Sequence, residues 1–142
     1  MNYKITLKNG SFKHVESELY HYHETRREIE LLKNDILYGT KAIDENIGGG
    51  RSNLPGNPTE AKGIALVSSR QIEQLENIVQ AIDDVVSKLP SHKRKLVELK
   101  YWSKPQMLTW EGIAINLCCS RRTAERWRSE IVNQIGFLIG WR

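Results

Sequence analysis

Apolar side chains recur along residues 11–38 at intervals of three, four or seven, with polar residues between them. This spacing places the apolar positions on one face of a helix. Ser11 is suited to cap the start of such a helix, and Gly39 to follow its end. The pattern therefore predicts one amphipathic helix of about eight turns, with a polar gap in its apolar face at Thr25 and Arg26. The apolar positions are Phe12, Val15, Leu19, Tyr22, Ile29 and Ile36.

A second heptad stripe ends just before Pro90. Asn57 is placed to cap its helix, with Pro58 at the first helical position and Glu60 three residues after the cap. The intervening residues 39–58 are rich in glycine and proline, which predicts a loop or linker. Two heptad helices joined by a loop predict an antiparallel hairpin, and a lone hairpin buries too little surface to be stable by itself. We therefore expect a homodimer or larger assembly, with Ile72, Leu75, Val79 and Ile82 at the interface.

The spacing of a helix-turn-helix appears in the last third of the chain. Ser91 can cap one helix, a loop containing Pro105 follows, and Thr109 and Ser120 can cap two further helices. Apolar or small residues then stand where two helices that cross steeply need them. Cys118 occupies the turn position where glycine is usual. The matching positions are Ile113, Ala114, Leu117, Cys119, Ala124 and Trp127.

These elements together predict an all-α protein with two regions. A helical hairpin for oligomerisation should occupy residues 1–90, and a helix-turn-helix DNA-binding domain should occupy residues 91–142. DNA affinity is expected in the second region and self-association in the first.

The charge distribution supports DNA as the partner. Residues 91–142 hold ten Lys and Arg against four Asp and Glu, whereas residues 1–90 hold eleven against thirteen. The net charge of +4 therefore arises in the last third of the chain, and such an asymmetry is typical of nucleic-acid binding. Lys93, Arg94 and Lys95 are candidate phosphate contacts in that basic region, and Arg51 is a candidate contact from the glycine-rich linker.

The last helix should present one face to the DNA major groove. Its apolar stripe runs through Ala124, Trp127 and Ile131, so the opposite face is polar and basic. Arginine can bond guanine in a bidentate way, glutamate can accept from cytosine, and hydroxyls near helix starts suit phosphates. The candidate contacts are Thr109, Ser120, Arg121, Arg122, Glu125, Arg126 and Ser129.

Neither catalysis nor metal binding is indicated by the sequence. The two cysteines, Cys118 and Cys119, are adjacent and cannot build a zinc site alone. His14, Glu18 and His21 share a helix face, but solvated or stacked histidines explain them better than a metal does. We predict no enzyme activity, no cofactor and no metal. No secretion signal or bilayer-spanning stretch is apparent, so a reduced cytoplasmic protein is expected.

Two runs of sequence resemble region four of bacterial sigma factors, namely LPSHKRKLVELKYW and TWEGIAINLCCSRRTAERWR. With FKHVESELYHYHETRREIE and GGGRSNLPGNPTE added, nearly the whole chain resembles the RinA-type phage transcriptional activators. That resemblance implies a phage or prophage protein in a bacterial host cell. It also implies activation of late, packaging-associated genes through promoter-proximal DNA and the host RNA polymerase.

Three other classes of protein stay open on the sequence. A small terminase subunit also joins helices to a helix-turn-helix, although it usually places that motif N-terminally. A complete sigma factor needs an aromatic-rich melting region, which we do not find. A helical interaction protein without a DNA role is the third class, and salt-dependent DNA binding would separate it from the others.

Overall fold

A computed structural model describes residues 6–45 and 58–142, and within these two ranges every regular element is a helix. The predicted all-α class is therefore confirmed. The elements are α1 (Asn9–Tyr20), α2 (Tyr22–Glu45), α3 (Pro58–Ser87), α4 (Ser91–Val97), a π-helical turn that extends α4 (Glu98–Trp102), α5 (Trp110–Asn116) and α6 (Arg121–Ile139).

The chain divides into two compact units that do not follow the predicted boundary at residue 90. One unit combines α1 and its neighbours up to Tyr22 with Ile78–Arg142, and the other lies within His23–Asn77. Helices α2 and α3 contribute residues to both units. The last turns of α3 and the whole of α1 therefore belong with the C-terminal module, because their apolar faces enter its core.

The core of the first unit gathers apolar side chains from α1, α3, α4 and α6. At its N-terminal edge, the Leu7 N–H donates to Asn133 Oδ1 at 3.0 Å. Beside this bond, α6 carries Gly136, where an added Cβ would stand 2.3 Å from Leu7 Cδ1. Glycine thus permits the close approach of residue 7 to α6. Fully buried members of this core include Val15, Leu19, Ile82, Leu96, Val97, Tyr101, Ile131, Val132 and Ile135.

The second unit carries buried residues on both α2 and α3. Ile29 and Ile72 are buried, and Lys33 Nζ lies 2.5 Å from Glu76 Oε1. Thr25 is also buried, although the sequence predicted a polar gap in the apolar face of the helix at this position. Ile72, a residue of the predicted interface, is buried in this unit, and Ile82 from the same stripe is buried in the first unit. Both isoleucines are used inside their own chain.

Several predicted helix ends are corrected by the structure. The predicted helix from Ser11 to Gly39 is two helices, because α1 begins at Asn9 and ends at Tyr20, and α2 continues through Gly39 to Glu45. Ser91 is the first residue of α4 rather than its cap, which is Pro90. Helix α3 is described from Pro58, the residue predicted at its first position. Residues 46–57, which include the expected cap Asn57 and the candidate contact Arg51, lie outside the described residues.

Candidate nucleic-acid interface

Helices α5 and α6 are joined by the four residues from Leu117 to Ser120, and both helices have the side-chain caps that the sequence predicts. Thr109 Oγ1 accepts a hydrogen bond from the Gly112 N–H at 3.2 Å. Ser120 Oγ accepts one from the Thr123 N–H at 3.1 Å. Each cap satisfies a backbone donor that the first turn of a helix leaves free, so the start of α6 is fixed.

The turn between these helices is a left-handed helix end built on a cysteine. Cys118 has a φ of 55°, a region that glycine adopts with less strain. Its N–H donates to the Ile115 carbonyl, and the Cys119 N–H donates to the Ala114 carbonyl, both at 3.1 Å. This pair of bonds is the Schellman motif. The turn thus has the usual hydrogen bonds without the usual glycine.

The buried side of this helix pair follows the predicted stripe. Ile113, Ala114 and Ala124 are buried, while Leu117 and Trp127 are half-buried against the core. The small side chains of Ala114 and Ala124 allow the two helices to approach closely. Because this side of α6 faces inward, the opposite side of its first turns faces solvent.

Arg122 and Arg126 project from that solvent-facing side. Both side chains are exposed, and neither forms an ion pair or hydrogen bond within residues 6–45 and 58–142. Ser129 lies one turn further on, where its Oγ donates to the Glu125 carbonyl at 3.1 Å. The two arginines are therefore free to bind a ligand, whereas the Ser129 hydroxyl is bonded to its own helix.

Arg121 is held between two carboxylates. Its guanidinium bonds Glu111 in the first turn of α5, and its Nε donates to Glu125 Oε1 at 3.1 Å. The pKa of Arg121 is raised because Glu125 and Glu111 accept these bonds. The pKa of Glu111 is lowered, first by a backbone hydrogen bond at its own residue and then by Arg121. The bond between Arg121 and Glu111 therefore braces α6 against α5, whereas the bond between Arg121 and Glu125 lies within α6.

The basic run of α4 makes contacts inside the molecule. Lys93 Nζ lies 3.2 Å from Glu130 Oε2 on α6. Arg94 donates to the Ser87 and Leu89 carbonyls at 3.3 Å each, at the end of α3. Lys95 donates to the Asn116 carbonyl at 3.2 Å, at the end of α5. Two of the three, Arg94 and Lys95, remain exposed, so both are still available to a phosphate on that surface.

Arg128 points away from this surface, toward α1. Its Nη1 lies 3.3 Å from Glu16 Oε1, and its guanidinium carbon lies 5.2 Å from the ring centroids of both Phe12 and Trp110. Glu16 also accepts a hydrogen bond at 2.7 Å from the Tyr101 hydroxyl. Burial raises the pKa of Tyr101, and the Glu16 charge raises it further. The sequence did not predict a role for Glu16 or the contact between Arg128 and α1.

The histidines of α1 have ordinary structural contacts. His14 stacks on Trp141 with ring centroids 4.2 Å apart, and its Nε2 lies 3.4 Å from Glu18 Oε1. His21 Nδ1 lies 2.7 Å from the Ser17 carbonyl. Stacking thus accounts for the position of the His14 ring, and a local hydrogen bond for that of the His21 ring.

Among the helices of the described ranges, none is both long and apolar enough to cross a membrane. The fold and its capped helix pair define a small helical protein whose outward surface at α6 carries free arginines. The chain belongs to the family described as "Protein of unknown function (DUF722)", whose model matches residues 17–136.

A similar protein bears a functional name. The chain is 24% identical over 140 residues to the "Transcriptional activator rinA" of Staphylococcus phage phi11, and the match covers 96% of each chain. The predicted resemblance to RinA-type activators is thereby confirmed. No solved structure matches the chain.

Proposed function

We propose that this protein is a sequence-specific DNA-binding regulator of phage transcription, with α6 as the helix that enters the major groove. The single observation that carries this proposal is the surface at the start of α6. Arg122 and Arg126 are exposed and unpaired on a helix whose position is fixed by the Ser120 cap and by packing on α5. A rigid helix with free guanidinium groups has what major-groove recognition requires.

The contacts of α6 suggest which side chains would contact bases and which would contact phosphates. The fork of donors on arginine matches O6 and N7 of guanine, so Arg122 and Arg126 are proposed to read bases. Thr109, Ser120 and the exposed Arg94 and Lys95 would contact phosphates. Arg121 and Glu125 bond each other, so their contribution to DNA binding requires this pair to open or to act as a unit.

The name of the relative from phage phi11 supports transcription activation as the outcome of binding. We propose that the protein activates late, packaging-associated genes and acts with the RNA polymerase of the host. Operators of helix-turn-helix proteins often mirror a twofold axis in the protein. A homodimer or larger assembly is therefore part of this proposal, with the half-buried Leu75 and Val79 as the remaining candidates from the predicted stripe.

A footprint of the purified full chain on the genome that encodes it tests this function. We expect protection upstream of late genes, and protection at a packaging start would support a terminase subunit instead. Binding to the protected duplex should weaken steeply as salt rises, because each neutralised phosphate releases about 0.9 counterions. Absence of salt-dependent binding to any duplex would contradict the DNA role as a whole.

A further inference from the structure

A basic pocket lies on the α1 side of α5, outside the helix-turn-helix surface described above. It is lined by side chains of α1, the π-helical turn, α5 and α6. Its positive groups are Lys13, Lys100 and Arg128, and its carboxylate is Glu16. We propose that Lys13 and Lys100 form a second phosphate-binding surface, here called the α1 basic surface, for the backbone of the same DNA duplex. This inference rests on the proposed function.

The charges of the pocket leave both lysines uncompensated. The Glu16 carboxylate is already engaged by Arg128 at 3.3 Å and by the Tyr101 hydroxyl at 2.7 Å. Neither Lys13 nor Lys100 forms an ion pair with a carboxylate in the part of the chain that the structure describes. The pocket therefore presents two positive charges to solvent, and it is complementary to a polyanion.

Aromatic rings hold Lys100 in place. Its Nζ lies 5.6 Å from the ring centroid of Tyr20 and 5.2 Å from that of Trp110. The π-helical turn that carries Lys100 also places the neighbouring Tyr101 in the core, and π-helical turns are frequent at functional sites. Because the ammonium group is already positioned over two rings, little side-chain entropy is lost when a phosphate binds.

Trp110 links the α1 basic surface to the start of the helix-turn-helix. Trp110 is the first residue of α5, and the next residue, Glu111, bonds Arg121 at the start of α6. A duplex whose major groove receives the start of α6 has backbone phosphates on both sides of that groove. The α1 basic surface includes Trp110 at this end of α5, so the proposed path of one such strand crosses its two lysines.

Replacing the two lysines tests the α1 basic surface. We would measure binding of a mixed-sequence duplex between about 50 and 200 mM salt, for the full chain and for Lys13→Gln, Lys100→Gln and the double variant. Replacing a lysine that contacts a phosphate should lower the slope of log K against log salt concentration by about 0.9. The same replacement should weaken binding by about eightfold at 0.1 M salt, and by equal factors on specific and mixed-sequence DNA.

Two control variants and a melting-temperature measurement make each outcome decisive. Arg70→Gln removes one exposed charge from the second unit and should leave the salt dependence unchanged. Lys100→Arg keeps the charge over the rings and should restore binding. If Lys100→Gln lowers the melting temperature, the salt dependence of Lys13→Gln alone tests the α1 basic surface. Lys13 is exposed and forms no ion pair within the described residues, so its replacement should not affect the fold.

The two proposals fail in different ways. An unchanged salt dependence in Lys13→Gln and in the double variant, while the unmodified chain still binds DNA, overturns the α1 basic surface alone. Failure of the unmodified chain to bind any duplex overturns the DNA-binding role and this surface with it.

Discussion

Arg128 of α6 is bonded to Glu16 of α1, with 3.3 Å between Nη1 and Oε1, across 112 positions of sequence. The guanidinium group also lies between the rings of Phe12 and Trp110. Helix α1 thus supports the proposed recognition helix directly. The sequence did not predict this contact between α1 and α6.

Replacing Glu16 by Ala should destabilise the protein by about 1–3 kcal/mol, because it leaves the half-buried Arg128 and Tyr101 hydroxyl without their shared acceptor. Denaturant unfolding measures this change. Glu18→Ala is the matched control, since Glu18 lies on the same helix and its one ion pair among the described residues is with the exposed His14. Equal losses in the two variants would show that the Arg128 contact adds nothing to stability.

Arg122→Ala and Arg126→Ala should each weaken binding to the specific site by about 1–3 kcal/mol and binding to mixed-sequence DNA far less. Both side chains lack intramolecular partners within the described ranges, so the fold should be unaffected. Titration of a labelled duplex provides the measurement, with Arg70→Ala as the control for lost charge. If replacing either arginine weakens binding to both duplexes equally, that arginine contacts phosphates rather than bases.

Cys118→Gly should stabilise the protein by about 1 kcal/mol, because glycine adopts the left-handed conformation at this turn without the steric strain of a Cβ. Cys118→Ala keeps the Cβ and should leave the melting temperature nearly unchanged. A gain from alanine as large as that from glycine would mean that the thiol, and not the backbone conformation, is the source of strain.

The predicted stripe on α3 should divide into core and interface positions. Ile82→Ala should lower the free energy of unfolding by about 2–4 kcal/mol, since Ile82 is buried within the first unit. Leu75→Ser should instead reduce the mass measured by light scattering, with Glu73→Ser as the exposed neighbouring control. A mass of 16.4 kDa for the unmodified chain would contradict self-association.

The sequence predicted the elements that depend on local chemistry. Thr109 and Ser120 cap their helices, and Ala124 and Ile131 are buried as their helical spacing requires. These features follow from residues within one or two turns of each other, which a single sequence displays directly. The outward positions of Arg122 and Arg126 follow from the same spacing.

The packing of helices that are distant in sequence could not be predicted, because an apolar stripe does not show which other helix it contacts. Val15 and Leu19 mark a helix with a buried face, but nothing in their spacing selects α6 over α3. The stripe on α3 was assigned to a second chain for the same reason. The structure buries Ile82 in the core that also contains Val15, so we expect that a fragment of residues 91–142 does not fold alone. That fragment would lack α1 and the end of α3.

The bond between the Leu7 N–H and Asn133 has a consequence for how the protein is made. The two residues are 126 positions apart, so a ribosome must extend the chain well into α6 before this bond can form. Folding of the first unit therefore waits until α6 has been made, and contacts of such long range form slowly. Until then the apolar face of α1 is exposed to solvent, where it can associate with other nascent chains. The yield of soluble protein should accordingly depend on slow expression or on chaperones that hold the N-terminal helix.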